Sequence, residues 1–244
     1  MALNKEKIRD SFSKSAASYD RHADLQRQMA EKLFSGLKGS YKRILDIGSG
    51  TGELVEKLAR KYPEAKIIGL DLASGMIEAA RNKVKYDNVK FIEGDGEELP
   101  FAAGTFDLVV SSASLQWMDA GKVFKEVVRV LGPAGEFHFT TFGPATLCEL
   151  KRVGLAVNDF PSRLKLEKVL REYFKGVGFK KEIVYKNYDG LPDLFLYLKM
   201  IGARYPVNSC NKGLLTKSKI FSLFSPREKL AITFEVYYGI AYLD

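Results

Sequence analysis

Between residues 44 and 143, short apolar runs alternate with amphipathic stretches, and this alternation restricts the possible folds more than any other feature. The apolar runs have the length of strands and are bounded by Gly, Asp or Ser; they read RILDIG, KIIGLDL, VKFIEG, FDLVVSS and EFHFTTF. In the stretches between them apolar residues recur at helical spacing, as at Val123, Val127, Val130 and Leu131. Continuously apolar strands joined by helices predict an α/β protein with a doubly wound, mostly parallel sheet and right-handed crossovers.

Helical and strand patterns continue on both sides of this core, so we expect a single domain over residues 1–244. Its parts are N-terminal helices (1–43), the core (44–143) and a C-terminal part (144–244). Ahead of the core, Leu25, Met29 and Leu33 predict a helix at 18–37, after a short basic helix at about 4–14. Beyond the core we predict helices at 144–157, 163–175 (closed by Gly176 and Gly178), 191–202 and 216–229, and strands at 181–188 and in the closing ITFEVYYGIAYL.

Composition excludes several classes of protein. No apolar run approaches the roughly 18 to 20 residues that cross a bilayer, and charges fill the opening MALNKEKIRDSF where a signal peptide would be apolar. We therefore expect a cytoplasmic chain. Two cysteines, Cys148 and Cys210, and two histidines, His22 and His138, are too few and too scattered for a disulfide framework or a dedicated zinc site. His138 alternates with phenylalanines inside a strand, which favours a structural role.

The net charge of +8 is unevenly distributed along the chain. Residues 1–43 carry +5, residues 44–143 carry −4 and residues 144–244 carry +7, which together give +8. Basic flanks raise the rate of encounter with polyanions or acidic proteins. The same pattern also fits ordinary solvated helix faces, so charge alone leaves both interpretations open.

A glycine cluster, Gly48-Ser49-Gly50-Thr51-Gly52, follows the first apolar run directly. Glycine allows a tight turn and a close approach of backbone to ligand at the first strand-to-helix connection, where doubly wound sheets bind small molecules. Asp71 closes the second apolar run 19 residues after Gly52, close to the roughly 20-residue offset of a carboxylate that binds ribose hydroxyls. The spacing therefore predicts a ligand that contains a nucleoside.

The loop departs from the dinucleotide pattern G-x-G-x-x-G, and Asp46 and Glu53 flank it. Carboxylates at this place disfavour a pyrophosphate and favour a cationic ligand. The series Asp46, GSGTG, Asp71 and Asp95 resembles the class I S-adenosylmethionine-dependent methyltransferases, which have a Rossmann-like fold. The resemblance implies that the loop faces the methionine part of the cofactor, that Asp71 binds the ribose and that Asp95 binds the adenine amino group. It implies further cofactor contacts from Leu72, Met76, Gly96, Glu97, Ser111, Ser112 and Leu115, beside Asp46, Gly48, Ser49, Gly50 and Gly52 of the loop.

Segments throughout the chain narrow the resemblance to the malonyl-acyl-carrier-protein O-methyltransferases of biotin synthesis. These segments are SFSKSAASYDRHADLQRQMAEKL, LQWM, TTFGPATLCELK, LYLKMIGAR, LLTKSKI and TFEVYYGI. Ser49 is a small departure, since relatives more often have Cys there. The resemblance implies transfer of a methyl group from S-adenosylmethionine to the free carboxylate of a malonyl thioester on acyl carrier protein.

Such a reaction suits this chain, because a carboxylate with a pKa near about 4 to 5 needs no general base at neutral pH. Alignment and a dry pocket then supply the catalysis, which requires a lid. We expect the N-terminal helices to form it, with Tyr19 and His22 facing cofactor and acceptor and Gln116 and Trp117 forming the opposite wall. The residues that could orient the malonyl carboxylate are Arg21, Arg152 and Arg204, which the sequence does not rank.

Acyl carrier proteins are acidic, so the basic flanks offer a docking face, with Lys151, Arg152, Arg163, Lys165 and Lys168 as contributors. We expect a monomer that binds neither nucleic acid nor membrane. Two other functions stay open at this point. One is a methyltransferase of the same fold that acts on a quinone precursor or a small carboxylic acid; the other is a non-catalytic nucleic-acid-binding module that uses the basic flanks.

Overall fold

A computed structural model describes residues 4–152, 154–155, 157–203 and 229–243. Their strands form one seven-stranded sheet with the order β3-β2-β1-β4-β5-β7-β6. The strands are β1 (Arg43–Ile47), β2 (Lys66–Asp71), β3 (Val89–Glu93), β4 (Phe106–Ser112), β5 (Leu131–Phe142), β6 (Gly176–Tyr188) and β7 (Leu230–Tyr242). The first five pair in parallel, and β7 runs antiparallel between β5 and β6. The predicted α/β class with a mostly parallel sheet is confirmed.

Helices cover both faces of this sheet. They are α1 (Lys5–His22), α2 (Asp24–Gly36), α3 (Glu53–Lys61), α4 (Ser74–Lys83), α5 (Ala120–Val130), α6 (Cys148–Arg152), α7 (Arg163–Leu170) and α8 (Leu191–Met200). Leu108 of β4 packs with the side chains of α3, whereas its neighbour Val109 packs with those of α5. Successive strand residues thus enter cores on opposite faces, which is why these strands are apolar at nearly every position.

The N-terminal helices divide at a different place from the predicted one. The chain is helical from Lys5 to His22 without the break that we expected near residue 15, and the turn falls instead at Ala23. Ala23 is buried, and its N–H still bonds to Tyr19 O at 2.9 Å. The apolar repeat that begins at Leu25 therefore belongs to α2 alone, while α1 is a separate and more polar helix.

Two further predictions for the C-terminal part were wrong in extent. The helix predicted at 144–157 is reduced to Cys148–Arg152, because Leu147 has a positive φ of 57° and donates its N–H to Thr233 O of β7. The helix predicted at 163–175 ends at Leu170, and the glycines that we expected to close it instead pair with β7 within strand β6. The predicted helix at 191–202 and the last strand are confirmed as α8 and β7. The helix predicted at 216–229 lies, except for its last residue, outside the described residues.

The topology places the carboxyl ends of β1, β2 and β4 together at one edge of the sheet. The chain connects outward in opposite directions from β1 and β4, and such a reversal opens a crevice between the two strands. The helix α1 lies near this crevice and packs on α4 and α8. Among the described residues, no helix combines the length and the apolar character that are needed to cross a membrane.

Candidate active site

The glycine loop turns sharply at the end of β1. Gly48 and Gly50 have φ angles of 73° and 53°, in the left-handed region where a side chain would be strained. The N–H groups of Gly48 and Ser49 both donate to Leu70 O, at 2.7 and 3.0 Å, and the Gly50 N–H donates to Asp71 Oδ2 at 2.9 Å. The end of β2 therefore fixes the shape of the loop that follows β1.

Three carboxylates surround this loop. Asp71 accepts a second N–H bond from Ala73 at 2.9 Å; burial raises the pKa of Asp71, while these N–H bonds oppose the rise. Asp95 accepts the Glu97 N–H at 2.9 Å and binds the Lys5 ammonium at 2.5 Å. Asp46 is only 2% exposed, and burial, together with the nearby Asp71 charge, raises the pKa of Asp46 to about 8.

Two buried polar atoms in β1 and the glycine loop have no hydrogen-bond partner among the described residues. They are Oδ1 of Asp46 and Oγ of Ser49. An unpaired buried polar atom costs free energy, so native proteins seldom leave one without a purpose. Both residues, with Tyr19, line a recess beside the loop. A polar, cationic ligand part in this recess would satisfy both atoms.

The main opening at the strand ends, here called the loop cleft, encloses about 80 Å³. Its lining includes Tyr19, Gly48, Gly50, Asp71, Leu72, Met76, Asp95, Gly96 and Ser112. The helix α1 closes it from outside. At one end of α1, Lys5 pairs with Asp95 and with Glu97 at 2.8 Å; at the other, Asp20 pairs with Lys83 at 2.9 Å and accepts the Thr51 hydroxyl at 2.5 Å. These contacts hold α1 over the loop cleft at both of its ends.

A second and larger opening, here called the apolar cavity, adjoins the loop cleft and encloses about 400 Å³. Most of its wall is aliphatic or aromatic, from residues such as Leu150, Phe160, Leu198 and Phe234. The residues that line both openings are Phe12, Tyr19, Ala113 and Trp117. The rings of Phe12 and Trp117 meet edge to face, with centroids 5.4 Å apart. These shared residues mark the junction at which two ligands could meet.

The structure brings many of the predicted site residues to these openings. Tyr19, Gln116 and Trp117 line the apolar cavity. Ten of the predicted cofactor residues line the loop cleft or its recess: Asp46, Gly48, Ser49, Gly50, Asp71, Leu72, Met76, Asp95, Gly96 and Ser112. Burial, and next the Asp71 charge, raise the pKa of the Tyr19 phenol above its usual range. Tyr19 therefore keeps its proton at neutral pH and can serve as a hydrogen-bond donor at the junction.

Other predicted residues lie elsewhere. Gly52, His22 and Arg152 are absent from the described linings of both openings, and Arg152 is exposed at the end of α6. The Glu97 carboxylate is directed at Lys5, Lys122 and the Asp119 N–H. Ser111 is fully buried and donates to Ile47 O, and Leu115 packs in the core. Arg204 lies outside the described residues.

His138 lies away from both described openings. Its Nε2 is 2.8 Å from Glu136 Oε2, and burial lowers the pKa of the imidazole. Among the residues that sequence reasoning missed are Phe12, Ser114 and Lys199, all of which line an opening. Phe12 and Lys199 do fall within the quoted segments SFSKSAASYD and LYLKMIGAR, but nothing in those segments showed which side chains face the site.

Comparison with known proteins identifies the family. Residues 44–135 match the model of the methyltransferase domain family. The malonyl-acyl-carrier-protein O-methyltransferase of Legionella pneumophila is 34% identical over 99% of this chain and 92% of its own. The chain belongs to the malonyl-acyl-carrier-protein O-methyltransferase family. The resemblance that the sequence motifs indicated is thus confirmed.

Two more comparisons concern a longer relative and a solved structure. The biotin biosynthesis bifunctional protein BioHC of Cellvibrio japonicus is 35% identical over 97% of this chain, which matches 50% of that longer protein. Among solved structures, a putative methyltransferase in complex with the Trm112 activator of Haloferax volcanii has a TM-score of 0.66 at 17% identity, and the match covers 97% of both chains. At that identity the structural match establishes the fold.

Proposed function

We propose that this methyltransferase transfers the methyl group of S-adenosylmethionine to the free carboxylate of a malonyl thioester on acyl carrier protein. The product is the methyl ester, made at an early step of biotin synthesis. Beside family membership, one observation carries the proposal: a carboxylate-lined cleft and a mainly apolar cavity meet at Phe12, Tyr19, Ala113 and Trp117. The first suits a cationic nucleoside, and the second suits a thioester arm.

The residues of the loop cleft fit S-adenosylmethionine. The ribose hydroxyls and the adenine amino group both need hydrogen-bond acceptors, and Asp71 and Asp95 respectively bring carboxylates to the cleft for them. The cationic methionine part needs a negative or polar partner, and Asp46 Oδ1 and Ser49 Oγ are buried without one among the described residues. At Gly50 no atom lies within 4 Å of where a Cβ would be, so the loop leaves open space for a ligand.

Methyl transfer to a carboxylate requires aligned reactants and a site that excludes water, and it requires no proton transfer. The bound cofactor supplies a methyl group on a positively charged sulfur. The acceptor carboxylate is already ionised at neutral pH, so the protonated Tyr19 is needed as a donor and not as a base. Opposite charges cancel as the methyl group moves, and a dry cavity favours that change. Phe12 and Trp117 bring two apolar rings to the junction, which favours a dry reaction site.

The direct test is intact-mass measurement of the carrier protein after incubation with the enzyme and S-adenosylmethionine. We expect malonyl carrier protein to gain the mass of one methyl group, and acetyl carrier protein, which lacks the free carboxylate, to gain none. Malonyl coenzyme A serves as a second acceptor without a protein surface. Methylation of small acids or of a quinone precursor in preference to malonyl carrier protein would show that the acceptor was wrongly assigned.

The carrier protein docks, in this proposal, on α7. This helix begins three residues after Phe160, which lines the apolar cavity. Arg163, Lys165 and Lys168 are exposed on it, and Leu164 is 78% exposed between two of these cations. A basic face with one projecting apolar side chain complements an acidic helix that has an apolar patch. Lys151 and Arg152, the other two predicted contributors, lie on α6, which packs against the opposite face of the sheet.

Charge reversal tests this surface. The double variant Lys165→Glu with Lys168→Glu should raise KM for malonyl carrier protein by about 10-fold or more at low salt, because repulsion replaces steering. The activity with malonyl coenzyme A should stay within about twofold. The matched control is Lys66→Glu with Lys90→Glu, the same charge change on the far β2–β3 edge of the sheet. An unchanged KM for the carrier in the α7 variant would contradict this docking site.

A further inference from the structure

The negative charge of the acceptor carboxylate needs a partner in the apolar cavity. A carboxylate that enters a mainly apolar cavity loses its hydration, and this is unfavourable unless a cation or several donors replace the lost water. Among the described residues that line the apolar cavity, Lys199 is the one lysine or arginine. The neutral donors among these described residues are Tyr19, Gln26, Gln116, Trp117, Thr146 and Asn158.

Two of these neutral groups are already engaged. The Gln116 amide donates to Ala113 O at 2.6 Å and accepts from Thr141 Oγ1 at 3.3 Å. The Thr146 hydroxyl donates to Glu235 O and accepts the Glu235 N–H, both at 3.1 Å. Lys199, by contrast, makes no ion pair with any other described residue. Its ammonium is therefore free to take a partner that is absent from the described chain.

The position of Lys199 also suits the reaction. Two side chains of α1 bond to the backbone that follows it: Ser18 Oγ donates to Met200 O at 3.3 Å, and Ser11 Oγ donates to Gly202 O at 2.9 Å. These bonds hold the last turn of α8 against α1, the helix that carries Phe12 and Tyr19 to the junction of the two openings. Met200 and Gly202, whose backbone is bonded to α1, follow Lys199 within about one helical turn. Lys199 therefore lies close to the helix that we expect to act as a lid.

Other described cations near the site are either paired or outside the lining of the apolar cavity. Lys5 is paired with Asp95 and Glu97 in the loop cleft. Lys151 donates to Pro144 O at 3.3 Å and lies 6.0 Å from the centroid of the Phe160 ring. Arg21 and Arg152 are exposed and do not belong to the described lining. Of the described cations, Lys199 alone both lines the apolar cavity and lacks an ion-pair partner among the described residues.

We propose that Lys199 binds the free carboxylate of the acceptor and so selects a malonyl thioester over thioesters without that charge. This inference rests on the proposed function and names a residue for it. Lys199 is exposed at the rim, so its attraction orients the carboxylate without burial of the ammonium. A weakly desolvated cation of this kind holds the carboxylate in place and leaves it nucleophilic. The phosphate of the carrier's prosthetic arm is the other anion that could reach the rim.

The test compares malonyl with acetyl carrier protein, because both have the phosphate and only the first has the carboxylate. Binding is measured by fluorescence anisotropy of labelled carrier protein with S-adenosylhomocysteine present, so that no turnover occurs. We expect Lys199→Met to weaken malonyl carrier binding by about 10- to 100-fold, the loss of a charged hydrogen bond, and to leave acetyl carrier binding unchanged. Lys199→Arg should stay within about threefold of the wild type for both.

Lys66→Met, at the start of β2 on the opposite edge of the sheet, is the matched control and should change neither affinity. Equal affinity of S-adenosylhomocysteine for wild type and Lys199→Met shows that the fold is intact. Equal weakening of both carrier forms would assign Lys199 to the phosphate, and no weakening would remove it from the site; either result overturns the inference. If the wild type yields no methyl ester and does not prefer the malonyl form, the proposed function itself fails.

Discussion

Asp71→Asn should lower the affinity for S-adenosylmethionine by about 10- to 100-fold, measured by isothermal titration calorimetry. Two effects act together. The carboxylate that would accept the ribose hydroxyls becomes an amide with one acceptor, and a charged hydrogen bond contributes about 1.5 to 3 kcal/mol. The Asp71 carboxylate also accepts the N–H groups of Gly50 and Ala73, both at 2.9 Å. An amide can accept only one of them with its oxygen, so the glycine loop loses part of its support.

Asp107→Asn provides a matched control for this prediction. Asp107 likewise accepts two backbone N–H groups, from Lys42 at 2.9 Å and Arg43 at 3.0 Å, but at the amino end of β1, away from the loop cleft. We expect that substitution to lower the thermal midpoint slightly and to leave the affinity for S-adenosylmethionine unchanged. If Asp71→Asn bound the cofactor within twofold of the wild type, Asp71 would be a loop support only.

The sequence predicted Asp71 because its position depends on local geometry. After β1 the chain makes the glycine turn and forms a helix of ordinary length, which brings β2 alongside β1 in parallel. The carboxyl end of β2 must therefore lie beside the loop that follows β1. The register confirms this arrangement, with Ile47 opposite Leu70. Prediction was correspondingly good for β1, β2 and β4, whose apolar runs record burial on both faces.

Sequence reasoning was weaker where distant segments decide the outcome. Asp95 and Glu97 are two residues apart in one acidic stretch, and the sequence offers no way to separate them. The fold does so: Asp95 lines the loop cleft, whereas the Glu97 side chain bonds to Lys5, Lys122 and the Asp119 N–H. The contacts of Glu97 come from α1 and α5, and only the packed structure brings them together.

The apolar cavity could not be predicted for a related reason. Its wall combines side chains from α1, β5, α6, α8 and β7, together with loop residues after α6. An apolar residue in any of these segments has the same periodicity whether it faces the core or the cavity. Sequence reasoning therefore chose arginines for the acceptor carboxylate and passed over Lys199, which the structure places in the wall.

Asp46 gives the second large expected effect, a rise in cofactor affinity with pH. In the free protein burial, and next the charge of Asp71, raise the pKa of Asp46 from 3.8 to about 8, so at about pH 6 the group is neutral. A bound ligand with a cationic amino group favours the ionised form, so binding near neutral pH expels the proton. Affinity should then rise about 10-fold per pH unit, or about 30-fold from pH 6 to pH 7.5. Above about pH 8 the ligand's own α-amino group loses its proton and the rise ends.

Calorimetry in two buffers with different ionisation enthalpies measures the proton directly. At about pH 6.5 we expect close to one proton released per cofactor bound by the wild type and none by Asp46→Asn, whose affinity should not vary between pH 6 and 7.5. The free proteins should differ as well. Because the folded pKa of Asp46 lies above the unfolded value, the wild type loses stability between about pH 4 and pH 8, as the unfolded chain gives up a proton that the folded chain keeps. Asp46→Asn removes that loss and should be the more stable free protein at about pH 8. A wild-type affinity that is flat over this range, with no proton released, would place the cationic end of the cofactor away from Asp46.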